Sequence, residues 1–257
     1  MHRPMGRIIN VEQGSPEWLQ ARAGNVTASK VSDIMATIKS GEAAARRDYR
    51  VQLVTEILTG APVEGGYKSP EMQWGNDMEP LARASYEVFR GVSVDVVGFI
   101  LHPTLARAGC SPDGLVDWDG GDTVRGIVQF KCPKTSTHLE YCHEGRVPKA
   151  YQPQMLWEMA CSGAEWCDFV SFDPRLPPHL QLFIRRFHRD AARIEELENA
   201  AAKFLDEVVE MAERVGNLTP AIDPDYVPEK NTKEEHYPFA TDEPDNFVDD
   251  RFAALDL

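Results

Sequence analysis

Asp113, Gln129 and Lys131 bracket a stretch in which two apolar runs, Leu115-Val116 and Ile127 to Phe130, flank the polar centre Asp119-Gly120-Gly121-Asp122. That pattern spells a β-hairpin, because the glycines supply the positive-φ residues of a tight turn. Side chains alternate faces along a strand, so Val128 and Phe130 point into a core while Gln129 and Lys131 share the opposite face. Asp113 then stands beside them at the hairpin mouth. A carboxylate, an amide oxygen and the Phe130 carbonyl are hard donors of the kind that hold Mg²⁺ against a phosphate. A lysine ammonium next to them can orient a water and stabilise charge developing on phosphorus. Together these types can carry out metal-assisted phosphodiester hydrolysis. The plainer alternative is that Ser111-Pro-Asp-Gly114 is an ordinary turn and Lys131 a solvated strand residue.

Written as Pro112-Asp113 … Gln129-Phe130-Lys131, the arrangement resembles the PD-(D/E)xK nucleases. It departs from them at Gln129, where such nucleases carry Glu or Asp. An amide offers an oxygen without a charge, and charge count helps set metal affinity, so weaker Mg²⁺ binding is expected, with Mn²⁺ as a tighter-binding substitute. Gln129 is either a natural variant or a Glu→Gln change that traps a complex.

Three further segments widen the resemblance. In Glu12-Gln-Gly-Ser-Pro-Glu-Trp18-Leu-Gln-Ala-Arg22-Ala-Gly24-Asn-Val-Thr27-Ala-Ser29, Ser15-Pro16-Glu17 caps a helix that Gly24 stops. A second helix is expected from Thr27 or Ser29 through Met35. This run is similar to the opening of the phage-lambda-type exonucleases, the YqaJ-like viral recombinase family. The resemblance implies that Arg22, Thr27 and Ser29 form a pocket for a DNA 5′-phosphate. Hydroxyls and free N–H groups at a helix N-terminus attract anions, and a guanidinium grips phosphate through two N–H groups. Read structurally instead, Arg22 is a helix C-terminal cation and Thr27 and Ser29 are caps.

Ser69-Pro70-Glu71 opens a helix that extends to Gly91, with an irregularity expected at Pro80. Its Gly75-Asn-Asp-Met-Glu79-Pro-Leu-Ala82 resembles the family's Gly-x-x-x-Glu-x-x-Ala helix, which gives Glu79 a place in the metal site; otherwise Glu79 and Arg83 are a surface pair. Tyr151-Gln-Pro-Gln154, on a helix near 147–162, is similar to the family's Tyr-x-x-Gln and puts Gln154 at the active-site edge. Tyr151, Gln154 and Glu158 share a face.

The remaining elements must position these residues. A helix is expected around Tyr49 to Leu58, and strands at about 93–101, 165–172 and 180–187. An amphipathic helix over about 190–214 carries Ile194, Leu197, Ala201, Phe204, Leu205, Val208 and Met211 on one face. The resemblance implies an α/β fold, a central mixed β-sheet flanked by helices with a restriction-endonuclease-like core. Residues 1–216 are expected to form the nuclease domain, and 217–257 an acidic, Pro-rich, poorly ordered C-terminal tail. There Phe247, Phe252 and Leu255 among acids suit either a peptide that docks on a basic partner or a solubilising extension.

Composition sets outer bounds. The 257 residues are 42% hydrophobic, enough for one large soluble domain. No run approaches a membrane span and no secretory signal opens the chain, so a cytoplasmic protein without membrane attachment is expected. Five cysteines without a CxxC pair argue against a disulfide framework or a zinc site. Net charge is −14, of which −8 falls in residues 221–257 (eleven acidic, three basic), leaving −6 before them. That balance opposes phosphate binding except where basic groups cluster, as Arg46-Arg47, Lys131 with Lys134, and Arg185-Arg186 do in sequence. No P-loop, dinucleotide loop or HExxH motif is present.

The resemblance spans residues 12–154 in four matches. It implies a Mg²⁺-dependent 5′→3′ double-strand DNA exonuclease that resects ends for phage-type single-strand-annealing recombination, acting as a homotrimeric ring, with a single-strand annealing protein as partner. Two alternatives stay open: a catalytically impaired DNA-end-binding protein, and a nick or flap nuclease of the same fold.

Overall fold

In the computed structural model the hairpin is β6 (Gly114–Trp118) and β7 (Val124–Lys131), antiparallel, with Gly114 opposite Val128 and Leu115 opposite Ile127. Residues 5–63, 69–121 and 123–218 are described; of the tail expected over 217–257, all beyond Leu218, with Phe247, Phe252 and Leu255, lies outside them. Gly120 takes the left-handed conformation that the turn requires (φ 79°).

The hairpin lies inside a five-stranded mixed sheet ordered β3 (Val94–Asp95), β6, β7, β8 (Trp166–Phe172), β9 (Leu182–His188). The β7–β8 pairing is parallel, so the chain must leave the sheet and return. It does so through α5 (Thr135–Glu144), a 3₁₀ turn at Lys149–Tyr151 and α6 (Gln152–Ser162). Every residue of β8 is buried, as a strand covered on both faces must be. On one face Ile127 and Phe169 join a core with Met155, Leu156 and Met159 of α6. On the other, Val128, Phe130 and Val170 pack with Ala82 and Tyr86 of α4 (Pro70–Arg90). Gly126 is required where it stands, because a Cβ there would sit 2.2 Å from the Trp166 ring.

A smaller mixed sheet, ordered β1 (Ile8–Ile9), β4 (Phe99–Leu101), β5 (Ala108–Cys110), β2 (Val26–Thr27), adjoins α1 (Pro16–Arg22). The strand expected over 93–101 is therefore two strands in two sheets. The break falls by Gly98, where the Ile9 and Val11 backbone runs too close for any side chain. The expected second helix is a 3₁₀ turn, Ala28–Lys30, followed by the four-residue α2 (Val31–Ile34). Helix α4 runs through Pro80 without interruption. Helix α5 carries no apolar stripe, and His138 is its one buried residue, so periodicity does not announce it.

Helix α7 (Ala191–Gly216) closes the core against α3 (Ala44–Thr59), with Phe204 stacked on Tyr49 at 5.6 Å. Six of the seven apolar residues named for this helix are buried, and Met211 packs partly buried beside them. The basic groups read from sequence are mostly tied up. Arg46 and Arg50 pair with Glu42 and Glu207. Arg186 pairs with both oxygens of buried Asp168 at 2.8 and 2.9 Å, and Arg185 donates to the Gly145 carbonyl. Lys134 pairs with Glu71. Among the described residues no helix is long and apolar enough to cross a membrane, and all five cysteines are free thiols.

Candidate active site

Asp113 precedes β6 and is fixed by β7: its Oδ2 accepts the Phe130 N–H at 2.7 Å. This places the carboxylate at the hairpin mouth, as the sequence pattern requires. Burial raises the Asp113 pKa, against the opposing pull of Lys131 and that N–H bond. Glu79 comes in from α4. It forms an i,i+4 pair with Arg83 at 2.9 Å, yet burial and the Asp113 charge together raise its pKa too. Glu79 is thus both paired on its own helix and close enough to Asp113 to feel its charge.

Lys131, at the end of β7, holds its ammonium 5.3 Å from the centre of the Tyr151 ring. Glu79, Asp113, Phe130, Lys131 and Tyr151 line one open cavity of about 420 Å³. A second cavity of about 180 Å³ is lined by Arg22, Thr27, Ser29, Asp113, Gln154 and Glu158, among others. Asp113 belongs to both, so the two cavities meet at one carboxylate.

The second cavity is fastened to the segment just before Asp113. Trp18 Nε1 donates to Ser111 Oγ at 2.9 Å, and Gln13 Nε2 donates to the Pro112 carbonyl at 3.0 Å. Arg22 lies over the Trp18 ring at 3.9 Å, and burial lowers its pKa. Among the described residues neither Arg22 nor Lys131 has a carboxylate within ion-pair distance, which sets them apart from Arg46, Arg50 and Arg186. Thr27 offers no free helix-terminal N–H to an anion. Its N–H donates to the Tyr49 hydroxyl at 3.0 Å, and the chain beyond it makes a single 3₁₀ turn with little dipole. Arg22 and the residues that bear hydroxyls, Thr27 and Ser29, remain among those that line this cavity.

Gln129 shares a face with Lys131, as read from sequence, but that face is covered by α6 and the side chain is fully buried. Gln129 lines neither cavity. Its Nε2 lies 3.4 Å from Oε1 of Glu158, a residue that sequence alone places only on a helix face. Gln154 Nε2 donates to the same oxygen at 2.9 Å. Among the described residues Gln129 Oε1 and Glu158 Oε2 have no hydrogen-bond partner. Burial, then the Asp113 charge, push the Glu158 pKa up to about 8. A signal for Glu158 is present in the sequence: it is the one acid in the run Met155-Leu-Trp-Glu-Met-Ala-Cys161, which is otherwise apolar.

Three inward carboxylates raised by burial, two of them also by the charge of Asp113, with two unpartnered buried oxygens, suit a hard divalent cation, which relieves repulsion and accepts oxygen donors. Among the described residues no three His, Cys, Asp or Glu side chains stand close enough to hold an ion by themselves. The donor set therefore fits a cation only when supplemented by main-chain carbonyl and water.

Residues 17–165 match the family model described as the YqaJ-like viral recombinase domain. None of the curated proteins matches the chain. Among solved structures it is similar to LHK-Exo in complex with dAMP, 43% identical with a TM-score of 0.70 over 78% of this chain and 96% of that one. It is similar also to an alkaline exonuclease (LHK-Exo) from Laribacter hongkongensis, 42% identical with a TM-score of 0.69 over the same shares. A phage related exonuclease from Haemophilus somnus 129PT shares the fold at 19% identity, with a TM-score of 0.53 over 73% of this chain and 96% of that one.

Proposed function

Because the chain belongs to the YqaJ-like viral recombinase family, we propose that it is a Mg²⁺-dependent 5′→3′ exonuclease of double-stranded DNA that resects ends for phage-type single-strand-annealing recombination. The observation that carries this reading is the shared carboxylate, with an arginine-bearing cavity on one side of Asp113 and a lysine-bearing cavity on the other. Arg22, Thr27 and Ser29 bind the terminal 5′-phosphate, which leaves the first phosphodiester beside Asp113. LHK-Exo is solved with dAMP, and a deoxynucleoside monophosphate is what stepwise cleavage releases.

Asp113, Glu79 and the Phe130 carbonyl are the groups that would hold Mg²⁺. A cation bound there supplies Lewis-acid charge at the scissile phosphate. Lys131, held over Tyr151, orients the attacking water and stabilises the negative charge that builds on phosphorus. Gln154 keeps its place at the cavity edge through its bond to Glu158. This activity belongs to residues 1–216, with the acidic tail serving contact with an annealing protein.

Assembly as a homotrimeric ring belongs to the same reading. A ring holds duplex topologically, which suits a chain of net charge −14 better than bulk attraction does. A ring also needs an end on which to thread. Linear duplex with 5′-phosphates should therefore be digested in Mg²⁺, while a covalently closed circle of the same sequence stays intact. Cutting of the closed circle, or of a nicked circle at its nick alone, would favour a nick or flap nuclease. Retention of linear duplex without any product would favour an end-binding protein.

A further inference from the structure

We propose that Glu158 on α6 supplies the acidic metal donor that β7 lacks, with Gln129 and Gln154 as the residues that position it. The inference rests on the metal-dependent reading above and names the carboxylate that faces a cation from the Arg22 side of Asp113.

The strand position where a PD-(D/E)xK site places its acid is Gln129, and its side chain opens into neither cavity. Directly in contact with it stands Glu158, which lines the Arg22 cavity together with Asp113. Both amides, from β7 and from one turn back along α6, reach the same oxygen, Oε1. Oε2 is left buried and, among the described residues, without a partner, on a side chain that lines one cavity together with Asp113. A fully buried carboxylate with one oxygen unsatisfied is costly unless something cationic completes it. Among the described residues no Lys, Arg or His lies within ion-pair distance to do so.

Gln129 is then a consequence of Glu158. With Glu at both positions, two buried carboxylates would touch and repel each other, so that one of them would stay protonated. With Gln at 129 the pair carries a single charge, and the amide turns a repulsive contact into a hydrogen bond. The acid has moved from strand to helix across one contact, and the charge of the pair is preserved.

The test is Mn²⁺ binding to the full-length chain without DNA, read by electron paramagnetic resonance of the free ion. The parent is compared with Glu158→Gln, Asp113→Asn, and the swap Gln129→Glu with Glu158→Gln. Glu158→Gln should weaken Mn²⁺ binding about tenfold or more, since it removes an anionic donor. Its metal-free melting temperature should not fall, because Gln keeps the shape of the side chain and leaves no buried group to ionise. The swap should recover most of the lost affinity. Parental affinity in Glu158→Gln, with binding lost in Asp113→Asn, overturns the role of Glu158 while leaving the metal site standing. Parental affinity in both variants overturns the metal reading itself. A lowered melting temperature in Glu158→Gln, with no recovery in the swap, assigns Glu158 to structure alone.

Discussion

Lys131→Ala is expected to lower kcat on a 5′-phosphorylated duplex by about 10²- to 10³-fold, the usual cost of removing one charge-stabilising donor from a transition state. Lys131 is the one cation lining the larger cavity, and no carboxylate among the described residues neutralises it. Its ammonium stands over the Tyr151 ring, and the residue lines one cavity with Asp113 and Phe130. The loss should fall on kcat with little change in KM, because the charge that Lys131 meets develops only during the reaction. Lys131→Arg should recover little, since a planar fork cannot take the place of a compact ammonium beside a water. Single-turnover rates on a short duplex measure this. A rate within about threefold of the parent would correspond to less than 1 kcal/mol and would remove Lys131 from the chemistry.

Arg22→Ala should slow digestion of 5′-phosphorylated ends by about 10- to 100-fold and leave 5′-hydroxyl ends nearly unchanged. A hydrogen bond to a charged partner contributes roughly 1.5–3 kcal/mol, and only the phosphorylated end has that partner to lose. Arg22 is held in place for such a grip, since it lies on Trp18, which is anchored by Ser111 only two residues from Asp113. Both ends compared in one reaction make the measurement internal. Equal loss on both substrates would indicate general backbone binding or a disturbed α1, and would detach Arg22 from the terminal phosphate.

Much of this site is legible in the sequence because its parts lie on locally encoded elements. The hairpin is spelled by two apolar runs around Asp119-Gly120-Gly121, and that alone brings Asp113, Phe130 and Lys131 to one end of it. Capped helices fix Arg22 and Glu79 in the same way, Ser15 and Ser69 accepting the first N–H bonds of α1 and α4. What is not legible is set by non-local packing. Periodicity places Gln129 opposite the core residues Val128 and Phe130, but not that α6 covers that face and brings Glu158 against it. The split of residues 93–101 between two sheets depends on how closely Ile9 and Val11 approach Gly98, a contact between distant segments. The basic doublets mislead for the same reason: Glu207 and Asp168, far off in sequence, neutralise Arg46 and Arg186.

If a terminal-phosphate cavity and a cleaving cavity share Asp113, cleavage proceeds from the 5′ end one nucleotide at a time. The most direct measurement is the first-turnover product from a blunt duplex carrying a radioactive 5′-phosphate on one strand, with a matched substrate labelled at the 3′ end. The 5′ label should leave at once as a mononucleotide, while the 3′ label stays in progressively shorter strands. Early release of the 3′ label, or a first product of many nucleotides, would contradict the shared-carboxylate site.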